Sequence, residues 1–263
     1  MTAQGRTALL VGLACGLVVP FIWSGWIVAS RFGVTHALTA YDVTALRVGV
    51  AAVLVSPVAL RHGLGGLGLG KALVISGGAG ALFGVTSFGG MALAPVAHAG
   101  VLANGTMPIV AALLGWLWLG QRLRRSQQFG MALILAGVAA IGGESLFAAP
   151  VPGQWLGDLL FVASGALFAG YMTALRAWNV RIRQAIVAVP VVSSVLYLPV
   201  WALWLPSGLI PGLLGDGPMP PLPEIALQTV YQGMVASILV VVLVTRATRS
   251  LGPTVMAVLL SAV

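Results

Sequence analysis

Arg47 stands alone as a charge within the otherwise uncharged run Val43–Leu60, and a guanidinium in such a setting does one of two kinds of chemistry. If that run crosses a bilayer, an arginine near its centre costs roughly 2.5–3.5 kcal/mol on insertion scales. The cost is smaller close to an interface, where the side chain can snorkel. One reading is structural, with Arg47 paired to Asp42 or to helix-end carbonyls. The other is functional: a cationic contact for the carboxylate of an amino-acid-like substrate.

A second group is uncharged and proline-centred. Asn104, Thr106 and Pro108 lie together in one apolar run. Proline removes one helical hydrogen bond, and Pro108 frees the carbonyl of Asn104, four residues earlier. In lipid that carbonyl must be satisfied by protein, water or a ligand, so the kink marks either a cavity wall or a packed bend. Pro20, Trp23 and Ser24 repeat the arrangement in the first run. Further polar positions are Thr86 and Ser87, Ser164 and Tyr171, and Gln228, Tyr231 and Gln232. Gln228 and Gln232 are one helical turn apart and share a face. Each of these also has a packing reading, since hydroxyls and amides join helices at under about 1 kcal/mol apiece. Trp23 is deep enough to stack on a ligand, whereas Trp26, Trp116, Trp118, Trp178 and Trp201 read as interfacial belt residues.

Catalysis finds little support. A nucleophile needs a base within reach, yet His36 and His62 fall in loops and His98 at the outer start of a run. There is no G-x-S-x-G turn, and Cys15 is the single cysteine. No catalytic residue, metal site or cofactor is therefore expected. A channel needs a filter loop or a charged ring, and neither is visible. A non-transporting scaffold or channel subunit stays as the alternative to a carrier, with an intramembrane enzyme behind it.

The elements that position these residues follow from composition. Hydrophobic residues are 59% of the chain and charged residues 7%, and the mean hydropathy is +1.05. A water-facing surface needs about a quarter of its residues charged, so the expected solvent is lipid. Spans of roughly 20 apolar residues are expected near Ala8–Ser30, Val43–Leu60, Ala72–Ala94, Ala99–Gly120, Phe129–Gly143, Leu159–Leu175, Ala185–Trp204 and Ala226–Thr245. A ninth opens at Pro253. The runs are continuous, whereas barrel strands alternate, so the class is an all-α polytopic membrane protein.

Charge orients it. With the N-terminus inside, the inner segments carry eleven of the 13 Lys and Arg: Arg6, Arg61, Lys71, Arg122, Arg124, Arg125, Arg176, Arg181, Arg183, Arg246 and Arg249. Outer loops carry only Arg31. That asymmetry predicts a cytoplasmic N-terminus in a cell inner (plasma) membrane. The net charge of +8 is spread over short turns and reads as topology, with no nucleic-acid partner. The five acids, Asp42, Glu144, Asp158, Asp216 and Glu224, fall at or near outer ends. None lies deep in a span, so coupling of transport to a proton through a buried acid is not expected.

The chain also echoes itself. Phe21–Arg31 resembles Ala163–Arg176, and Ser250–Val263 resembles Ala94–Met107. Five-span units of odd number must insert with opposite orientation, the pattern of secondary transporters with a midplane site. The first unit is expected over 8–145 and the second over 155–263. The rest of span nine and a tenth would need about 30 further residues.

Three segments carry a family resemblance: TALRVGVAAVLVSP (Thr44–Pro57), NGTMPIVAALLGWLWLGQRL (Asn104–Leu123) and QQFGMALILAGV (Gln127–Val138). They resemble EamA-type members of the drug/metabolite transporter (DMT) superfamily. The resemblance implies ten helices in two inverted five-helix repeats, of which this chain would lack the last part of helix nine and helix ten. It implies export of small metabolites or drugs across the inner membrane. Gln121 departs from the pattern, which has Glu after the Leu-Gly closing span four. The expected carrier works by alternating access on amino acids, related compounds or amphipathic drugs. Its partners are the small-molecule substrate and the bilayer, and it is a monomer or homodimer.

Overall fold

The computed structural model describes residues 3–147 and 152–260, and every regular element among them is helical. In chain order these are α1 (Ala3–Thr35), α2 (Ala40–His62), α3 (Leu69–Ala79), α4 (Ala81–Leu93), α5 (Val96–His98), α6 (Asn104–Leu119) and α7 (Arg125–Phe147). Then come α8 (Gln154–Ala177), α9 (Ile182–Trp204), α10 (Leu209–Leu214), α11 (Leu222–Gln228), α12 (Val240–Leu251) and α13 (Pro253–Leu260). Two π-helical stretches, Ala99–Ala103 and Thr229–Leu239, join α5 to α6 and α11 to α12. Eight stretches are long and apolar enough to cross a membrane, one for each of the eight complete runs read from sequence. The chain is a multi-pass membrane protein. Residues 261–263, at the end of the expected second unit, lie outside the described part, as do residues 148–151.

Helix ends extend past the hydrophobic edges because polar residues cap them. Thr39 and Asp42 form a capping box at the start of α2: Thr39 Oγ1 accepts from Asp42 N at 3.1 Å and Asp42 Oδ2 accepts from Thr39 N at 2.9 Å. At the other end of α6, Gly120 adopts φ +65°, and Gln121 N donates to Gly115 O at 3.0 Å, closing the helix. Gln121 therefore belongs to a helix stop at the mouth of a basic turn.

The third span is broken. Ala81 N donates to Ser193 Oγ on α9 at 3.2 Å instead of to its own helix. Only glycine fits at the break, since a Cβ on Gly80 would lie 1.9 Å from that same oxygen. A similar close approach occurs at Gly165 on α8, where a Cβ would sit 2.3 Å from Ala103 O. Small residues at these crossings let backbones touch, which is how helices pack where lipid removes the hydrophobic drive.

The packing crosses the chain's midpoint. α1 lies on α12, α2 on α9, α4 on α8, and α6 on α8 and α13. Basic turns gather at one end of the bundle: Arg181 Nη2 donates to Gly65 O at 2.7 Å, Arg249 Nη2 to Asn179 Oδ1 at 3.1 Å, and Lys71 Nζ lies 5.6 Å from the Trp178 ring. Arg31 departs from its expected loop position. It lies within α1, half-buried, and donates to Met91 O and Ala94 O at the end of α4.

Candidate functional site

Six elements bring side chains to one point inside the bundle. Trp23 and Trp26 come from α1, Arg47 from α2, Phe83 from α4 and Phe168 from α8, with the π-helical stretch and α12 closing the side through Ala236, Val240 and Val241. The rings interlock edge to face, Trp23 with Phe168 at 4.9 Å and with Trp26 at 5.6 Å, while Trp26 stacks on Phe83 at 6.0 Å. The Arg47 guanidinium lies over two of these faces, 5.4 Å from the Phe83 centroid and 5.9 Å from that of Trp26.

Arg47 does not pair with Asp42. That carboxylate is taken by Trp201 Nε1 at 3.0 Å, Ser207 Oγ at 2.5 Å and Gly208 N at 2.8 Å, besides its own cap. Among the described residues the Arg47 guanidinium makes one hydrogen bond, from Nη2 to Ala79 O at 3.5 Å, a carbonyl at the break in the third span. Among the described residues no carboxylate forms an ion pair with it. It is 5% exposed, a buried cation with no carboxylate counter-charge among the described residues.

Two small cavities flank the aromatic wall, about 20 Å³ beside Arg47 and about 10 Å³ between Trp23, Ser87, Asn104 and Ser164. Either is about one water in size. The second contains a defect in polar satisfaction, because Asn104 Nδ2 is buried without a hydrogen-bond partner among the described residues. Asn104 follows the π-helical stretch Ala99–Ala103, and single π-turns inside helices recur at functional sites.

The other expected positions spread over several environments. Ser164 is buried at the second cavity with Oγ on Phe161 O at 2.8 Å. Tyr171 is buried one turn past Phe168, its hydroxyl 3.2 Å from Thr245 Oγ1. Thr86 is buried against its own helix through Leu82 O and Phe83 O, and Thr106 packs near Gly165. Gln228 donates to Ala29 O at 2.7 Å, Tyr231 to Ile22 O at 3.0 Å, and Gln232 to Ser30 Oγ at 2.8 Å, so their polar groups join α1 to the eighth span. Ser24 is exposed on the far side of α1, bonded to Pro20 O at 3.0 Å. Pro20 and Pro108 both lie inside helices.

Sequence reasoning missed Phe83 and Phe168, which apolar periodicity cannot separate from ordinary lipid-facing residues. It also placed Trp26 at the interface. Trp26 is buried instead, because its indole N–H finds Gln232 Oε1 at 2.6 Å. Trp201 is half-buried on Asp42, while Trp116 and Trp118 are exposed.

Comparison with known proteins adds the family. The EamA-like transporter family matches residues 10–143. The chain belongs to the EamA-like transporter family. It is thus a membrane transporter of the drug/metabolite type, and the match contains the helices that supply Trp23, Trp26, Arg47, Phe83 and Asn104 to the EamA core. A solved protein crystal structure shares the fold at a TM-score of 0.63 and 18% identity, covering 97% of this chain and 86% of that one. No curated protein matches the sequence.

Proposed function

We propose that the protein exports small metabolites, amino acids or related carboxylates foremost, across the cytoplasmic membrane by alternating access, with Arg47 holding the cargo's negative group. The observation that carries this is the buried guanidinium without a carboxylate, walled by four aromatic rings. An unpaired buried charge is costly, and a ligand carboxylate supplies what the fold withholds. The rings of Trp23, Trp26, Phe83 and Phe168 offer an apolar body the matching surface, and Asn104 offers a donor for an acceptor group. Amphipathic drugs fit the same walls less well, because they leave Arg47 unpaired.

Two units of opposite orientation are supported by the contacts. Spans one and eight pack together, as do three and six, while two meets seven and four meets α13. Exchanging each span for the one five places on leaves this pattern unchanged. The N-terminus belongs in the cytoplasm on the basic turns gathered at one end of the bundle. The central cavities are too small for cargo, so the halves must part on one side to load it and on the other to release it.

The test is counterflow in proteoliposomes over a panel of radiolabelled amino acids, decarboxylated amines and neutral drugs. Carboxylates should exchange, decarboxylated partners should not, and Arg47→Met should abolish exchange with the protein still folded. Equal exchange of amines and carboxylates would remove the role given to Arg47.

A further inference from the structure

We infer that the basic end of the bundle holds a binding pocket for a phosphate group, gripped by Arg122 and Arg176. A cavity of about 160 Å³ opens there, lined by both arginines with Gln121, Gln127 and Thr254. At about 30 Å³ per water it holds roughly five waters, or one phosphate with part of its hydration. It shares no lining residue with the small cavities beside Arg47 and Asn104.

Distant parts of the chain build it. Arg122 comes from the turn between α6 and α7, and Gln127 from the first turn of α7. Arg176 comes from the last turn of α8 and Thr254 from the first turn of α13. Packing of α6 against both α8 and α13 brings these ends together. The cavity therefore joins the stretch matched by the EamA-like family to the second half of the chain. At its edge Gly252, with φ +91°, ends α12 and turns the backbone into α13.

The charge around it is of one sign. Segments 112–127, 176–183 and 246–255 carry several arginines and no acid. Among the described residues neither Arg122 nor Arg176 forms an ion pair. Arg176 Nη1 donates to Arg249 O, which anchors the guanidinium without neutralising it. Like charges that line one small space repel, and an anion between them replaces that repulsion with attraction. The neutral groups suit an oxyanion too. Gln127 Oε1 accepts from Arg124 N at 2.8 Å, which leaves the amide Nε2 as its donor, and Thr254 adds a hydroxyl. Guanidinium groups bind phosphate through paired N–H···O bonds, and basic pockets between membrane helices take phospholipid head groups. Trp118 and Trp178, close in sequence to Gly120 and Arg176, meet edge to face at 5.2 Å. Such indoles belong at head-group level. The group on offer is thus the phosphate of an anionic lipid or free phosphate from the water.

The test reads Tm by tryptophan fluorescence in a neutral detergent with chloride as the background anion. Phosphatidylglycerol, at about five times its half-saturating concentration, should raise the Tm by about 2–4 °C. Diacylglycerol with the same chains, which lacks the phosphate, should not. Inorganic phosphate at matched ionic strength separates the sources: a rise with it admits free phosphate, and no rise assigns the pocket to a lipid head group. Arg122→Gln and Arg176→Gln should each lose most of the shift. Gln121→Glu should lose it as well, because it puts a carboxylate into the cavity. Should Arg176→Gln fail to fold without its bond to Arg249 O, the other two variants carry the comparison. Arg183→Gln, at an exposed arginine of the same end outside the cavity, should keep the shift. The pocket is independent of the cargo reading, so Arg47→Met should keep it too. No shift with either phosphate source, or an equal shift with diacylglycerol, would overturn the pocket. So would a full shift in Arg122→Gln or Gln121→Glu, or a lost shift in Arg183→Gln or Arg47→Met.

Discussion

Two charged residues a turn or so apart on α2 meet opposite fates. Asp42 accepts from five donors: Thr39 N and Oγ1, Trp201 Nε1, Ser207 Oγ and Gly208 N. Removing its carboxylate leaves those donors buried and unmet, so Asp42→Ala should destabilise by on the order of 3 kcal/mol or more, read as a lowered Tm in detergent. Arg47 leaves nothing charged behind when it goes, since no acid among the described residues pairs with it. Arg47→Met should therefore keep or raise the Tm while abolishing exchange, as replacing a buried charge with an apolar side chain often does. A structural arginine would show the reverse, with stability lost alongside transport. Of these residues the sequence marks Arg47 and Asp42 by type and depth alone. Their partners are invisible in it, because Trp201 is 159 residues from Asp42 along the chain.

Interrupted helices are the feature that separates this bundle from a set of straight rods. The break at Gly80, the π-helical stretch before Asn104 and the longer one over Thr229–Leu239 all border the aromatic cluster or the elements that wall it. In the last of these, Ser237 Oγ lies 2.7 Å from Gln232 O, a carbonyl of the widened helix itself, and 3.2 Å from Arg47 O on α2, tying the two elements together. Gly80→Ala should force α9 away from the break and cost about 1–3 kcal/mol, as overpacking does. Gly77→Ala, one turn earlier with no atom within 4 Å of the new Cβ, should be neutral. Thermal melts of the two variants give the comparison. Pro108 announced a bend in the fourth span, but the Gly80 break had no such signal. The glycine reads as one small residue among 35 until Ser193 arrives against it.

At the scale of the molecule, the two ends carry different chemistry. Basic turns link loop to loop at one end, and buried acids link half to half at the other, through Asp42 to Ser207 and Gly208, Glu224 to Ala37 N, and Asp158 to His98. On the proposed orientation and cargo site, the end closed by these acids is the external one. A reporter enzyme active only outside should be silent when fused after Arg125 and active when fused after Asp216. The opposite pattern would turn the proposed export direction around.

Composition and charge spacing by themselves determined that this chain lives in lipid, where its spans lie and that its basic turns share a side, because the bilayer acts on each segment separately. The EamA-like signature was likewise readable, since it is written in contiguous residues from Asn104 to Val138. Only the tertiary structure decided which aromatic residues face inward, that Arg47 is left without an acid and that His98 meets Asp158. Those outcomes depend on helix rotation and on contacts between distant parts of the chain, and lipid-facing and core-facing residues in a membrane are equally apolar.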